Sequence, residues 1–328
     1  MTERAEGAAR GRPASSYSLR RHAPLLGLLG AFGAMLVIFS MLSPVFFSYG
    51  NFINIANQTA IISVLAFGMT LVMLSGAIDL SVGSLLSLSA VVCALALGAG
   101  VPPLASMAAA LLTGIGFGAM SGFISVHWKV QPFLVTLGAL SVARGLSLVL
   151  SDGRTIYIES QAFLAITAQG FIGPVPMLLV WTLAFFVLTW VLLNLTVFGR
   201  ELRAVGGNII AARHAGLRTG WITMRVFMLS GGLAAFGGLM MAGRLSSGLP
   251  TVGVGMELDA IAAAVLGGTG FKGEGGSLVG TLLGALIMGT VINGLTILGV
   301  NPYVQEITKG IIIVLAVILV SRRARGWR

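Results

Sequence analysis

The stretch PVPMLLVWTLAFFVLTWVLLNLTVF, Pro174–Phe198, continues for 25 residues without a Lys, Arg, Asp or Glu. A helix needs roughly 20 apolar residues to cross a hydrocarbon core about 30 Å thick, so this run is long enough to cross a bilayer. Three further runs meet the same condition: Pro24–Tyr49, Asn51–Ile78 and Leu80–Trp128, the last being long enough for two crossings. Because the runs are continuously apolar and do not alternate with a period of two, they predict helices and not a barrel.

The composition of the whole chain agrees with these runs. Hydrophobic residues make up 56% of the 328 residues, charged residues make up 9%, and the mean hydropathy is +0.98. An average soluble domain carries roughly 25% charged residues, so the chain is an all-α integral membrane protein. The pattern predicts about ten transmembrane helices: 24–47, 53–75, 82–100, 103–126, 131–150, 174–198, 221–243, 257–268, 277–298 and 303–321. Because the eighth is too short to cross, we expect a re-entrant connection, GGTGFKGEGG (267–276), that dips into the membrane.

The distribution of positive charge predicts the orientation. Arginines cluster before the first span, between the sixth and seventh spans, and after the last span, and an even number of spans places all three clusters on one side. By the positive-inside rule that side is the cytoplasm, so both termini are predicted to be cytoplasmic. We therefore divide the chain into a disordered basic tail (1–22), a membrane domain (23–321) and a second basic tail (322–328). This distribution explains the net charge of +10 without nucleic-acid binding.

The sequence lacks the common signatures of catalysis and of cofactor binding. There is no G-x-x-x-x-G-K-[ST], so the chain has no P-loop of its own, and the three histidines are scattered with no H-E-x-x-H. The single cysteine, Cys93, excludes an internal disulfide and any CxxC metal pair. Gly268, Gly270 and Gly273 match GxGxxG, but 46 glycines make such a match expected by chance. We predict no enzyme activity, no metal site and no cofactor bound by this chain.

Glycines and acidic residues raise alternatives that the sequence leaves open. The triplets Gly114, Gly118, Gly122 and Gly276, Gly280, Gly284 are spaced four apart, which is typical of close helix packing and also of a dimer seam. The few acids near the spans are functional candidates, because charge at membrane depth is costly. Each also has a structural interpretation: Asp79 or Ser81 as an N-cap, Glu257 and Asp259 as an interfacial helix start, and Glu306 with Lys309 as a local ion pair.

Arg144 is the least expected charge, because it lies deep in the fifth predicted span without a local acid. It could snorkel to the outer interface or belong to a polar pathway.

The connection between the sixth and seventh predicted spans is the best-defined polar segment. In GRELRAVGGNIIAARHAGLRTGW (199–221), a short helical stretch, Ile209–Ala215, is bracketed by GGN and by Gly216. A compact helix of this kind can dock into a groove on a partner protein, although a plain solvated loop would carry the same charge.

Three blocks of the sequence carry a resemblance to a known family. They are FGMTLVMLSGAIDLSVGSLLSLSA (67–90), AVGGNIIAARHAGL (204–217) and LDAIAAAVLGGTGFKGEGGSLVGTLLGALIMGTVINGLTILGV (258–300). In this order and spacing they resemble the permease subunit of ribose-type sugar ABC importers, over roughly residues 24–321. The resemblance implies a homodimeric permease that works with a separate ABC ATPase subunit and a periplasmic sugar-binding protein in the bacterial inner membrane. ATP and Mg²⁺ would bind to the ATPase subunit.

The resemblance also implies roles for particular residues. The segment that couples to the ATPase would comprise Gly206, Gly207, Asn208, Ala211, Ala212 and Gly216. Ile209 and Ile210 depart from the acidic or proline-containing pair common at this point in the family. The region beside the translocation pathway would include Asn57, Asp79, Ser81, Gly268 and Thr269. Ribose, xylose, galactose or a polyol remain candidate substrates, and a secondary transporter of a small polar solute remains the alternative function.

Overall fold

The computed structural model describes residues 15–271 and 273–325. Helices dominate, with two pairs of very short strands in the connections. The elements in chain order are α1 (Ser15–Leu42), α2 (Tyr49–Leu74), α3 (Val82–Gly98), α4 (Pro103–His127), α5 (Pro132–Ser151), β1 (Ile156–Tyr157), α6 (Gln161–Leu164), a π-helix (Ala165–Gln169), β2 (Phe171–Ile172), β3 (Val175–Pro176), α7 (Met177–Leu195), α8 (Val197–Gly207), α9 (Ile209–His214), α10 (Thr219–Leu245), β4 (Ser247–Gly248), α11 (Met256–Leu266), α12 (Leu278–Ile297) and α13 (Pro302–Arg325).

Seven helices in the described residues are long and apolar enough to cross a membrane. They lie within α1, α2, α4, α5, α7, α10 and α12, and α3 is a shorter apolar helix of 17 residues. Helices α11 and α13 lie where the eighth and tenth spans were predicted. The total of about ten crossings therefore stays a prediction, whereas the multi-pass helical architecture is observed.

The tails differ in part from the prediction. Helix α1 begins at Ser15, so the described part of the predicted disordered tail, 15–22, is helical, because nothing in SSYSLRRH ends the helix that continues into the first apolar run. Residues 322–325 belong to α13. The remaining tail residues, 1–14 and 326–328, lie outside the described residues.

The centre of the bundle is formed by α2 and α10. Most of both helices is buried, and α2 packs against α7, α10, α11 and α12 while α10 packs against α2, α3 and α4. The middle parts of both helices carry apolar residues on all sides, as expected for helices enclosed by other helices.

Glycines bring α4 and α10 into backbone contact. A Cβ on Gly114, Gly118 or Gly122 would overlap the backbone of α10, at Gly231, Phe227 and Met224 respectively. The partner numbers fall as the α4 numbers rise, so the helices are antiparallel. The packing interpretation of this glycine triplet is therefore confirmed. In the second triplet, Gly280 packs on Gly267 and Gly284 on Ala263, whereas Gly276 precedes α12 and has a φ of +91°.

The eighth predicted span, 257–268, consists of most of α11 and the first two residues of the turn after it. Helix α11 has eleven residues, a rise of about 16 Å, so it covers about half of a hydrocarbon core. The non-helical segment 247–255, a short strand followed by turns, precedes it and lies along α3: Gly253 donates its N–H to Ser87 Oγ at 2.8 Å, and Pro250 accepts from Ser147 of α5 at 3.3 Å. The re-entrant connection after the eighth span stays a prediction, and the structure adds a second non-helical segment, SGLPTVGVG, on the other side of α11.

The α5–α7 connection and the end of α10 meet at one end of the bundle. Strand β1 pairs antiparallel with β4, joining residues 156–157 to 247–248, and β2 pairs with β3 in a small hairpin. The exposed pair Asp152 and Arg154 lies in the same connection, with 3.4 Å between Oδ2 and Nη2. The opposite end of the bundle carries α8 and α9.

Candidate translocation and coupling site

A tight turn at 75–81 interrupts the chain between α2 and α3. Gly76 has a φ of +80°, which favours glycine, and Asp79 is 1% exposed. The Asp79 carboxylate accepts hydrogen bonds from the backbone N–H and the hydroxyl of Ser81, and from the hydroxyl of Ser230 on α10 at 2.9 Å. Asp79 therefore fixes the turn and also joins it to the centre of the bundle.

The N-cap prediction for this turn is wrong in its detail. Ser81 occupies the N-cap position of α3, but no side chain caps the helix, because the Ser81 hydroxyl donates to Asp79 instead. Helix α5 holds the same turn through Thr136, whose hydroxyl accepts from the N–H of Leu80 at 3.2 Å and donates to the carbonyl of Ile78 at 3.3 Å. No local sequence pattern pointed to Thr136 or Ser230.

The connection between α11 and α12 forms a second glycine-rich turn. Gly268 has a φ of +90°, and the N–H of Gly270 donates to the carbonyl of Glu274 at 2.8 Å, closing a small loop. Thr269 is fully buried, pairs with Gly275 through a β-bridge, and has a hydroxyl without a hydrogen-bond partner in the described residues. Of the two residues predicted for the pathway here, Thr269 thus lies inside the protein and Gly268 is half-buried.

The segment between α7 and α10 contains two helices where the sequence predicted one. The short helix predicted over 209–215 is confirmed as α9, and Asn208 caps it by accepting from the N–H groups of Ile210 and Ala211, each at 3.0 Å. Ala212 is buried, whereas Ile209 and Ile210 are 47% and 67% exposed. Gly216 ends the segment with a φ of +83°. Helix α8, over residues predicted to be loop, was missed.

Gly206 brings the three segments together. A Cβ on Gly206 would overlap the carbonyl oxygen of Leu74, the last residue of α2, and would lie 3.3 Å from the Cα of Gly273. A Cβ on Gly276 would lie 3.0 Å from both the Leu74 side chain and Thr269 Oγ1. The end of α8 therefore packs directly against both glycine-rich turns. We call this contact of Gly206, Leu74 and Gly273 the glycine junction.

A cavity of about 780 Å³ opens beside the glycine junction. Its walls come from the first residues of the 75–81 turn, the α4–α5 connection, the end of α8 and the start of α9. Ser75, Gly206, Gly207 and Asn208 are among its lining residues, whereas Asp79, Ser81, Gly268 and Thr269 do not line it. Asn57 lies apart from all of these, because it precedes Leu74 by 17 residues, about 25 Å along α2.

Charged side chains of α11 and α13 form a partly buried cluster that the sequence predicted only in part. The predicted pair of Glu306 and Lys309 is confirmed, with 2.6 Å between Oε1 and Nζ. Lys309 also lies 3.6 Å from Asp259 of α11, which is 5% exposed. Neighbouring Glu257 is buried, and its Oε2 has no hydrogen-bond partner in the described residues. Within these same residues no group of three His, Cys, Asp or Glu side chains could hold a metal ion.

Comparison with known proteins agrees with this arrangement. A family model described as branched-chain amino acid transport system / permease component matches residues 51–317. The ribose import permease protein RbsC of Escherichia coli (strain K12) is 42% identical over 295 residues, which is 88% of this chain and 91% of RbsC. The chain belongs to the ribose-type ABC permease family. The permease is also 39% identical to RbsC of Bacillus subtilis (strain 168), over 93% of this chain and 94% of that protein.

Two further relatives place the permease more broadly. The L-arabinose transport system permease protein AraH of Escherichia coli (strain K12) is 34% identical over 97% of both chains. A solved inward-facing ABC transporter, assigned to the metal-chelate type, shares the fold, with a TM-score of 0.52 and 17% identity over 90% of the permease and 98% of that chain. At this identity the second likeness concerns the fold alone.

Proposed function

We propose that this permease is the membrane subunit of an ATP-driven importer for a sugar or a related polyol. Its relatives with 34 to 42% identity are named as permeases for ribose and L-arabinose, which supports a sugar of pentose size. Two copies of the chain would form the translocation pathway. A periplasmic binding protein would deliver the sugar, and ATPase subunits on other chains would bind ATP and Mg²⁺.

The glycine junction is the observation that carries the coupling part of this proposal. Motion of α8 and α9 would reach the end of α2 and the α11–α12 connection without an intervening side chain, because Gly206 contacts Leu74 and Gly273 directly. Packed backbones transmit displacement better than flexible side chains, since the contact has few alternative arrangements. An ATPase that moves α9 would therefore move both glycine-rich turns together.

The exposed surface of α9 supports docking of the ATPase. Asn208 fixes the start of the helix, while Ile209 and Ile210 present apolar side chains outward. Exposed isoleucines on an otherwise polar segment are typical of a surface that a partner covers. The exposed pair also differs from the acidic or proline-containing pair expected from the resemblance, so we expect the matching cleft on the ATPase to be apolar.

The pathway would open beside the cavity of about 780 Å³. In this proposal Asp79, Ser81, Gly268 and Thr269 support the shape of the two turns that border the cavity, and the turns themselves move. Asn57 would face the pathway nearer the other end of α2. The arginine distribution supports a cytoplasmic position for α8, α9 and both termini, and the bacterial relatives support a place in the bacterial inner membrane.

ATP hydrolysis by the reconstituted complex tests the proposal. The permease is combined with the ATPase and the binding protein encoded beside it, and ATPase activity is measured with a panel of pentoses, hexoses and polyols. Stimulation by one loaded binding protein, lost when Asn208–Gly216 is deleted, is the expected result. Movement of solute into liposomes without any ATPase would overturn the proposal in favour of a secondary transporter.

Neighbouring glycines provide a matched test of the junction. Gly206→Ala places a methyl group against the Leu74 carbonyl, whereas nothing lies within 4 Å of a Cβ at Gly207. We expect Gly206→Ala to reduce the stimulated ATPase rate by on the order of tenfold, since coupling free energies are typically 1–3 kcal/mol, and Gly207→Ala to retain it. Equal activity of the two variants would show that the junction does not transmit the motion.

A further inference from the structure

A second cavity, of about 340 Å³, lies where α8 meets the start of α10. It shares no lining residue with the larger cavity. Its polar walls are Glu201 from α8 and Arg218 and Arg225 from the start of α10, with Trp221 between the two arginines. We call this space the arginine pocket. None of the steps attributed above to coupling or transport uses it.

The arginines lie on the side of α10 that faces α8 and points away from α4. Residues 218, 221 and 225 are three and four apart, so they share one face, while Gly220 and Met224 contact α4. The Arg225 guanidinium lies 5.2 Å from the centre of the Trp221 ring, which holds it in a cation–π contact. In the described residues neither arginine has an acidic oxygen within 4 Å, and Glu201 has no basic partner.

Apolar surface continues from one wall of the arginine pocket. Val197 lies one turn before Glu201 on α8 and is 58% exposed, and Leu195 beside it is 63% exposed. Buried positions of α8 are Gly199, Leu202 and Val205, so the helix is amphipathic and lies along the end of the bundle. The unpaired charges of both signs in the pocket thus lie near an exposed apolar strip, formed by Val197 and Leu195.

We propose that the arginine pocket binds the headgroup of a phospholipid of the phosphatidylethanolamine type. The guanidinium groups of Arg218 and Arg225 donate to the phosphate, and Glu201 accepts from the ammonium group. The acyl chains extend along Val197 and Leu195. Tryptophan and arginine at the end of a membrane helix are suited to this interface, and basic pockets between such helices bind lipid headgroups.

Charge and shape favour a lipid over the ATPase subunit at this position. An acidic protein surface would pair with the arginines but would place like charge against Glu201, and it would leave the strip at Val197 uncovered. The two arginines and Glu201 of the pocket match the phosphate and the ammonium group of a zwitterionic headgroup. This inference goes beyond the importer proposal and does not depend on which solute is carried.

Native mass spectrometry of the full-length permease tests the inference. The protein, purified in detergent, is titrated with phosphatidylethanolamine, phosphatidylglycerol or phosphatidylcholine of identical acyl chains. We expect phosphatidylethanolamine to bind most tightly. Arg225→Gln and Arg218→Gln should each weaken it by about tenfold or more, because a hydrogen bond to a charged group contributes about 1.5–3 kcal/mol. Arg213→Gln, in the same connection but lining the other cavity, is the matched control and should bind normally.

Further measurements distinguish the possible ligands of the arginine pocket. Glu201→Gln should remove the preference for phosphatidylethanolamine over phosphatidylglycerol while retaining phosphate binding. Equal binding of all three lipids, or equal binding by the wild type and both arginine variants, would overturn the inference. Displacement of the lipid by millimolar inorganic phosphate would show a free-phosphate site instead. Unchanged lipid binding together with weaker ATPase binding in the arginine variants would assign the surface to the ATPase subunit.

Arg218→Gln preserves the Trp221–Arg225 contact, so a loss of lipid binding in that variant does not result from loss of that contact.

Discussion

At the scale of single residues, one carboxylate joins parts of the chain that are far apart in sequence. Asp79 and Ser230 are separated by 151 positions, yet their side chains are 2.9 Å apart. A buried charge inside a membrane bundle is stable only when its oxygens are hydrogen-bonded, and Asp79 has three such donors. The residue thus has a structural role, in which it fixes a local turn and joins that turn to α10, whereas its place beside the translocation pathway stays a prediction.

Removal of the Ser230 hydroxyl tests this connection. Ser230→Ala leaves the Asp79 carboxylate with one donor fewer in a buried site, so we expect the free energy of unfolding to fall by about 1–3 kcal/mol. Thermal unfolding in detergent measures the change. Ser141→Ala is the control, because that hydroxyl is exposed and donates only to its own helix, and it should change stability by less than about 0.5 kcal/mol. Equal effects of both variants would contradict the connection.

The ion pair between α11 and α13 gives a second prediction. Lys309→Met leaves Asp259 buried without its cation, so we expect a loss of about 3–5 kcal/mol, measured by the same unfolding assay. The double variant Asp259→Asn with Lys309→Met should recover much of this loss, because no uncompensated charge remains. A double variant as unstable as the single one would show that Lys309 acts through packing.

Pairs of interacting residues also show which contacts could be predicted from the sequence alone. Glu306 and Lys309 are three apart on one helix, so local spacing predicted their contact. Asp259 joins the same lysine from another helix, and Thr136 and Ser230 reach the 75–81 turn from two more. Such partners depend on which helices are neighbours, which no local pattern specifies.

At the scale of elements, α4 and α10 form the closest helix pair, and their glycines make this possible. Gly118→Ala would place a Cβ against the Phe227 carbonyl, whereas nothing lies within 4 Å of a Cβ at Gly116. We expect Gly118→Ala to lower the free energy of unfolding by about 1–3 kcal/mol through overpacking, and Gly116→Ala to leave it unchanged or to raise it through helix propensity. Thermal unfolding of the two variants distinguishes these outcomes. Equal stability would mean that α4 moves away at little cost.

Most elements with a full apolar run were predicted close to their observed bounds, because twenty apolar residues in succession have few alternatives to a helix. Helix α1, which begins at Ser15 and ends at Leu42, is the exception. Two elements without such a run were missed. Helix α8 contains Gly199 and three charged residues among only eleven positions. This short, mixed pattern was therefore interpreted as a loop, although the helix is amphipathic. The non-helical segment 247–255 has no recognisable sequence pattern, because Ser87 and Ser147 of other helices supply hydrogen-bond partners for it.

At the scale of the whole molecule, the two ends of the bundle should face opposite sides of the membrane. The only cysteine, Cys93, is buried, so single cysteines introduced elsewhere report their own accessibility. We expect a membrane-impermeant maleimide to label Arg154→Cys only in right-side-out vesicles and Arg200→Cys only in inside-out vesicles. The unsubstituted protein should stay unlabelled. Labelling of both sites from the same side would contradict the predicted orientation.

The short length of α11 has a consequence for the way the protein is inserted into the membrane. The insertion machinery selects long apolar helices, and the eleven residues of α11 fall well short of the usual length. The non-helical segment before it, 247–255, has its hydrogen-bond partners on α3 and α5, which are synthesised earlier, and α11 itself also packs on α12 and α13, which are synthesised later. We therefore expect residues 247–266 to take their place only with neighbouring helices as a template, so that a defect in those neighbours leaves the nascent chain with an incorrect topology.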